Sequence, residues 1–298
     1  MFKKNPFKNL SDIEKKKLLI ISIFAPIIII IVVFAIVLAS SLTSNTPKQV
    51  VVYNKNEINV EEVNEIWKHY KEINEDYVGQ IIFDSGLIDK PFVQAKSCYR
   101  KNGDMYTFFE KNGDVVTDAS HYNGNDVYLW MDFETMEYDY DKNGGSIFMD
   151  YRNSLDDQNV IIYGHFFSTI YGKDKERVKA FTPLEVLLDE KYYQGNMNLS
   201  LVLEHEIRRY ELFAVYKYDM NSKEYNEKGQ YFRTYYDTDV YSGSIDDTYM
   251  KNYIDFVNKV KLYDTGVELT ENDKTLTFQT CMTPYTNLYE ICVFRLVK

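Results

Sequence analysis

The stretch "LTFQTCMTPYTNLYEICVFRLVK", residues 276–298, contains two alternating apolar runs that are separated by a polar loop. Alternation of this kind predicts two β-strands, and Cys281 follows directly after the first of them. A thiol at the end of a strand can be held rigidly and still be exposed, which a cysteine nucleophile requires. From spacing alone, an inert thiol at this position is the alternative interpretation.

The rest of the composition favours a folded, β-rich body. Hydrophobic residues make up 45% of the chain and charged residues 27%, which is typical of a protein with a packed core. Aromatic residues reach 16%, including 27 tyrosines, and these side chains favour strands. Apolar residues at helical spacing predict one amphipathic helix that begins near Val60 and a second that begins near Met250.

The N-terminal residues predict a membrane anchor. Residues 1–17 carry six lysines and two acidic residues, and residues 18–42 carry no charge over a length that can span a bilayer. Lysines before the span place the N-terminus in the cytoplasm, so the body is expected outside the cell. The sequence therefore predicts a basic tail, a single span, a tether over 43–56 and one domain over 57–298. A secretory signal with its cleavage site at "LASS", residues 38–41, is the alternative.

Charge and cysteine content exclude several classes of protein. After residue 17 the chain has 28 basic and 43 acidic residues, a net charge of −15, which argues against nucleic acid or anionic lipid as a partner. Three cysteines do not form a disulfide framework, and no zinc-ligand spacing is present. Residues 139–150 share several positions with a calcium-binding loop, but we interpret them as an Asp- and Asn-rich turn. No metal and no nucleotide cofactor is predicted.

Two "KNGD" segments, at 101–104 and 111–114, are strong signals for β-hairpin turns. We interpret residues 96–121 as a hairpin insertion. Its composition predicts that it lies on the surface and outside the core.

His165 is the histidine that best suits catalysis. It follows "NVIIYG", an apolar strand that ends in a glycine, so a rigid strand delivers one polar side chain at its end, as it does for Cys281. A packing or capping role is the alternative interpretation from this pattern alone. The other histidines, His69, His121 and His205, lie in a polar helix, a loop and a charged segment.

Three segments, "GSIFMDYRN", "DQNVIIYGH" and "LTFQTC", resemble the signature segments of class B sortases, the membrane-anchored cysteine transpeptidases of Gram-positive bacteria. The resemblance covers roughly residues 60–298. It implies a closed eight-stranded β-barrel with an N-terminal helix and a second helix before the cysteine strand. It also implies that Cys281 is the nucleophile and His165 the catalytic histidine. The expected partners are surface proteins with a C-terminal sorting signal and a cell-wall or pilin amine.

The sequence departs from the family at the third catalytic position. Sortases have an arginine about eight to ten residues after the cysteine, where this chain has Glu290 and its neighbours. If Arg295 fills that role, "NLYEICVF" must be a loop. If residues 289–298 form a strand, which the alternation favours, Arg295 lies about 16 Å further along it than Glu290. Thr280 and Thr283 are then candidates for the oxyanion site or the pocket.

The missing arginine leaves two alternatives to a transpeptidase open. The first is a catalytically impaired sortase-like protein that binds or scaffolds the same substrates. The second is a hydrolase that releases them.

Overall fold

The computed structural model describes residues 60–102, 105–116, 124–138, 145–167, 180–219, 247–283 and 288–297, with the backbone alone at 60–62, 101–102, 105–106, 126, 167, 247–249 and 281–283. Eleven strands are present in this part of the chain: β1 Tyr77–Phe83, β2 Asp89–Val93, β3 Tyr99–Asn102, β4 Met105–Phe108, β5 Ile147–Met149, β6 Asn159–Tyr163, β7 Phe166–Phe167, β8 Asn198–Val202, β9 Ile207–Asp219, β10 Thr275–Thr283 and β11 Leu288–Leu296. The α-helices are α1 Val60–Ile73, α2 Asp126–Trp130, α3 Glu190–Tyr193 and α4 Asp247–Val260, and two 3-10 helices cover Thr182–Leu188 and Gln194–Asn196.

Eight of these strands close into a barrel. The hydrogen-bonded order is β11-β9-β8-β1-β2-β5-β6-β10, and β10 also pairs with β11, so the ring has no open edge. Most neighbours are antiparallel, but β2 pairs with β5, and β6 with β10, in the parallel direction. This is the closed eight-stranded barrel that the family resemblance implied.

The alternation of side chains along each strand divides the barrel into an interior and an outer face. Phe278 on β10 and Phe294 on β11 are fully buried in an interior cluster that receives side chains from all eight strands. Residues that alternate with these along the strands face outwards. Val293, for example, belongs to a separate cluster on the outer face of β9 and β11. Both faces are therefore covered near the middle of β11, where every residue from Glu290 to Phe294 is buried.

Both predicted helices are present. α1 begins at Val60 and precedes β1, and α4 ends at Val260, before the strand that carries Cys281. The apolar side of α4 covers the outer face of the sheet, where Met250 and Val257 are fully buried. Without this cover, the aromatic outer face of β9 would be exposed to water.

The predicted hairpin is formed by β3 and β4, with four residue pairs in antiparallel register. The expectation that it lies outside the core is wrong. Cys98 and Phe108 are 3% and 0% exposed and belong to a second cluster with Tyr128 of α2 and Ile161 of β6. Asp76 fixes the base of the hairpin because its carboxylate accepts hydrogen bonds from the Ser97 amide and other donors. The hairpin therefore completes a core on the outer face of the barrel.

No helix in the described part of the chain is both long enough and apolar enough to cross a membrane. The predicted anchor, residues 18–42, lies outside the described residues, as do the basic tail and the tether.

Glu290 is an acidic residue inside the barrel. It alternates with Cys292 and Phe294 on β11, faces Thr280 of β10 across the ladder, and is fully buried. Its Oε1 accepts a hydrogen bond of 3.6 Å from the Cys292 thiol, and no group in the described part of the chain bonds its Oε2. Burial raises the pKa of Glu290 to about 8, so the carboxyl is neutral at pH 7.

Phe108→Ala tests the contribution of the hairpin to the core. Removing a fully buried phenylalanine leaves a cavity, so we expect the free energy of unfolding to fall by about 3–5 kcal/mol. Val115→Ala, at a position that is 52% exposed in the same insertion, is the control and should change it by no more than about 0.5 kcal/mol. Urea unfolding followed by circular dichroism measures both changes. Equally small changes in the two variants would show that the hairpin does not contribute to the core.

Glu290→Gln tests the buried carboxyl through the pH dependence of stability. In the unfolded chain a glutamate ionises with a pKa near 4.3, whereas in the folded barrel it keeps its proton up to about pH 8. Between these values the folded state holds more protons, so the stability of the wild type falls as the pH rises, by up to about 1.4 kcal/mol per pH unit. The glutamine variant should lose this part of the slope. Parallel slopes between pH 5 and 8 in urea unfolding would show that Glu290 is ionised in the folded state.

Candidate active site

The parallel pairing of β6 with β10 brings Cys281 and His165 to the same level of the barrel. Tyr163 pairs with Gln279, and further along β7 continues the same register, with Phe166 opposite Met282. His165 lies between these two pairs and is therefore level with Cys281, although 116 residues separate the two in sequence. Neighbouring strands lie about 4.8 Å apart, so the two backbones are adjacent. Their catalytic roles stay predictions, but the fold brings them together.

The imidazole of His165 is held by α2. It forms a hydrogen bond with the backbone of Leu129, and its ring lies 4.4 Å from the Trp130 ring, centroid to centroid, at an interplanar angle of 41°. Burial lowers the pKa of His165 to about 4, against the opposing effect of the Leu129 hydrogen bond. His165 is therefore a neutral imidazole at pH 7 and can accept a proton.

A small cavity lies beside His165. Apolar and aromatic side chains form most of its wall, and apart from the imidazole its polar residues are two amides, a threonine and two tyrosines. The lining residues are Asn125, Leu129, Phe148, Tyr163, Gly164, His165, Gln279, Thr280 and Tyr289. Tyr289 pairs with Cys281 across the β10–β11 ladder, so the cavity reaches the level of the predicted nucleophile. Among the described residues that line it, there is no aspartate, glutamate, lysine or arginine.

The two threonine candidates, Thr280 and Thr283, both lie on β10 close to Cys281. Thr280 is buried beside Cys281, and no group in the described part of the chain forms a hydrogen bond with its Oγ1. Thr280 is among the residues that line the cavity, and by the alternation along β10 its side chain lies on the interior face with Phe278. Thr283 lies on β10 opposite Phe167, and its side chain is outside the described residues.

Arg295 does not lie at this site. β11 runs from Leu288 to Leu296 as a continuous strand, so the interpretation of residues 289–298 as a strand is confirmed over most of that range. Arg295 pairs with Thr275, six residues before Cys281, which corresponds to about 20 Å along the strand. Its guanidinium binds the Glu211 carboxylate and donates to the Glu268 carbonyl at 2.6 Å. The expectation that Arg295 supplies an oxyanion donor therefore disagrees with the register of the last two strands.

Other arginines that could substitute for Arg295 have partners elsewhere. Arg208 binds Glu206 and Asp156, and Arg209 binds Asp84. Arg233 lies outside the described residues. In the described part of the chain, then, no arginine reaches the cavity.

The remaining histidines and cysteines have other surroundings. His69 and His205 are exposed, and His121 lies outside the described residues. Cys98 and Cys292 are buried free thiols, and burial raises the pKa of both. A buried thiol with a raised pKa is a poor nucleophile, so Cys281 remains the candidate.

No group of three or more metal-binding side chains is found among the described residues. The segment that resembles a calcium loop is outside them, except for its end. There, the Asp150 carboxylate accepts hydrogen bonds from protein donors on Asn125, Arg152 and Tyr163.

The sequence did not indicate the part that α2 plays. A helix of five residues is too short for its periodicity to be read, and the contact between the Trp130 and His165 rings joins segments that are distant in sequence. Gly145 is one signal of this close approach. It has φ of +62°, and a Cβ there would lie 2.1 Å from the Leu129 carbonyl oxygen.

Comparison with known proteins supports the resemblance seen in the motifs, although no family model matches the chain. Sortase B of Staphylococcus aureus is 24% identical over 243 residues, which cover 80% of this chain and 77% of the relative. Sortase B of Listeria monocytogenes is 24% identical over 229 residues, which cover 74% and 69%.

Solved sortase B structures have the same fold. A mutant form of Clostridium perfringens sortase B matches with a TM-score of 0.56 at 22% identity, covering 80% of this chain and 90% of that structure. A Staphylococcus aureus sortase B–substrate complex matches with a TM-score of 0.54 at 22% identity, covering 79% and 86%. The relatives and the shared barrel confirm the resemblance to class B sortases and support the assignment of this chain to the sortase-type cysteine transpeptidases.

Proposed function

We propose that the chain cleaves a C-terminal sorting signal through a thioester on Cys281 and transfers the acyl group to an amine. The observation that carries the proposal is the β6–β10 register, which makes His165 level with Cys281. Acyl transfer needs a nucleophile and a base close together, and this register places the two residues at the same level of neighbouring strands.

The resting imidazole is neutral, and this sets the order of proton transfers. His165 takes the proton of the Cys281 thiol as the sulfur attacks the carbonyl carbon of a Thr–Gly-type bond. The imidazolium then gives that proton to the leaving amine as the carbon–nitrogen bond breaks. The product is a thioester and a neutral imidazole, so no external acid or base is consumed.

The second half of the reaction reverses these roles. An incoming amine attacks the thioester, His165 accepts a proton from it, and the thiol leaves with that proton. A cell-wall precursor or a pilin side chain is the proposed donor of the amine. One solved sortase B structure is a complex with triglycine, a peptide that has a free amine, which is consistent with an acceptor of this class.

The developing oxyanion would be stabilised without an arginine. Backbone N–H groups are the proposed donors, with Thr280 as the candidate side chain, because neutral donors interact with a negative charge more strongly in a cavity than in water.

We place this reaction outside the cell. The uncharged span over 18–42 and the lysines before it support a single-pass anchor with a cytoplasmic N-terminus. Substrates would then be surface proteins that reach the same membrane face, and the acidic body would not bind nucleic acid.

A second candidate function is a sortase-like binder without transferase activity. The position of Arg295 against Glu211 favours it, because the cavity has no described cation to stabilise an oxyanion. Mass spectrometry of the protein after incubation with sorting-signal peptides separates the candidates. An acyl adduct that an added amine resolves indicates a transpeptidase, one that only water resolves indicates a hydrolase, and binding without an adduct indicates a binder.

Cys281→Ala should abolish peptide cleavage, and His165→Ala should lower its rate by about 10²–10⁴-fold, because each removes a group that takes part in proton or acyl transfer. Cys292→Ala and His205→Ala are the matched controls and should keep most of the activity, since one residue is buried in the barrel and the other is exposed far from the cavity. Release of the C-terminal fragment measures all four, and full activity in the Cys281 variant would overturn the assignment.

Arg295→Ala should change the acylation rate by less than tenfold, because Arg295 is held by Glu211 about 20 Å along the ladder from Cys281. It should lower the free energy of unfolding by about 1 kcal/mol through the lost hydrogen bonds. Arg209→Ala, which removes a comparable pair with Asp84, is the control for stability. A loss of 10²-fold or more in the acylation rate of Arg295→Ala, without a similar loss in Arg209→Ala, would show that Arg295 acts in the active site.

A further inference from the structure

Asp150 has an unusually complete set of partners for a buried carboxylate. It is fully buried at the end of β5, and its two oxygens accept five hydrogen bonds. Two come from the Arg152 guanidinium and one from the Arg152 amide, all at 2.9 Å. The others come from Asn125 Nδ2 at 2.9 Å and from the Tyr163 hydroxyl at 3.1 Å. Breaking such a network costs far more than breaking a pair at the surface.

Two of these partners, Tyr163 and Asn125, belong to the two segments that hold His165. Tyr163 is the last residue of β6, two positions before His165 in the chain. Asn125 precedes α2, the helix whose Leu129 backbone and Trp130 ring contact the imidazole. Asp150 therefore connects the strand that carries His165 to the helix that covers it.

The far end of α2 is also fixed to β5. The Ser146 amide donates to the Tyr128 carbonyl at 2.9 Å, and the Ser146 hydroxyl donates to the Met131 carbonyl at 2.7 Å. Because Ser146 and Asp150 flank β5, the helix is held at both ends by one strand. Release of its N-terminal end would leave Leu129 and Trp130 free to rotate away from the imidazole.

We propose that Asp150 is a positioning residue for His165, which sets the orientation and the burial of the imidazole through Tyr163 and through α2. It does not touch substrate or the reacting atoms. Its place in catalysis rests on the proposed function, whereas its effect on the state of His165 does not.

The physical basis is the coupling of burial to proton affinity. The imidazole is neutral because α2 and the strand ends leave it only partly accessible to water, and no aspartate, glutamate, lysine or arginine is among the described residues that line the cavity beside it. If the network around Asp150 loosens, water reaches the ring, and the protonated form becomes easier to reach. The same loosening moves the base away from the thiol.

Asp150→Asn is the direct test, because it keeps the shape and places an amide N–H where donors now point. Histidine Cε1 resonances of the full-length protein, followed by NMR from pH 3.5 to 8, report the titration of His165, which His165→Ala identifies. We expect the midpoint to rise by about one pH unit or more towards the ordinary value near 6.5. The kcat for acylation should fall about tenfold or more, while KM changes by less than about threefold.

Tyr163→Phe is the second variant, and it decides the question if Asp150→Asn does not fold. It removes only the hydroxyl that bonds Asp150, so the midpoint and kcat should move in the same direction by smaller amounts. Two controls lose comparable buried hydrogen bonds elsewhere: Asp273→Asn, whose carboxylate binds Thr270, and Tyr263→Phe, whose hydroxyl donates to the Leu187 carbonyl. Both should lower thermal stability and leave the His165 midpoint unchanged.

The outcomes test the positioning role of Asp150 and the proposed transferase activity separately. A His165 midpoint and a kcat that stay at wild-type values in Tyr163→Phe and in a folded Asp150→Asn, with only the melting temperature lowered, would overturn the proposal. Shifted midpoints in a protein that forms no acyl adduct would support the positioning role and reject the proposed transferase activity.

Discussion

The parallel ladder between β6 and β10 is the interaction on which the candidate site depends. Parallel strands need a long crossover, and here the connection carries the 3-10 helices, β8, β9 and α4 before the chain returns beside β6. That return sets two strand ends level, so that residues 116 positions apart in sequence share one edge of the barrel. A shift of the register by one residue would separate them and would also turn the fully buried Phe278 out of the interior. The packing of the barrel and the geometry of the site are thus fixed by the same pairing.

Electrostatics make this site unusual. The one strong cation on the last strand, Arg295, is bound to Glu211, and the acidic residue near the expected position of a cation, Glu290, is buried in the barrel. Burial raises the pKa of Glu290 to about 8 and lowers that of His165 to about 4, so both groups are neutral at pH 7. Neither group therefore carries a formal charge before the reaction begins. Charge would develop only during the reaction, in surroundings where a few oriented donors act strongly.

Much of the fold could be predicted from the sequence, because its signals are local. Alternation predicted the strand that carries Cys281 and the strand that follows it, helical spacing predicted α1 and α4, and Asn-Gly turns predicted the β3–β4 hairpin. Alternation alone also favoured a strand over the last residues, with Arg295 too far along it to act. The family motifs then supplied the closure of the barrel, which no local pattern contains. What could not be predicted depends on contacts between distant segments: the burial of Phe108 against α2, the direction in which Glu290 points, and the network at Asp150.

The network at Asp150 shows why such contacts matter for chemistry. A histidine at a strand end has one covalent constraint, its own backbone, and an imidazole with free torsions would spend part of its time out of reach of the thiol. Enclosing the ring between Trp130 and the Leu129 backbone removes that freedom, but only if α2 is itself fixed. Asp150 and Ser146 fix it from one short strand, β5, whose three residues are all buried. The rigidity of the base therefore comes from the same closed sheet that carries the nucleophile, and the two are held in one frame rather than on separate loops.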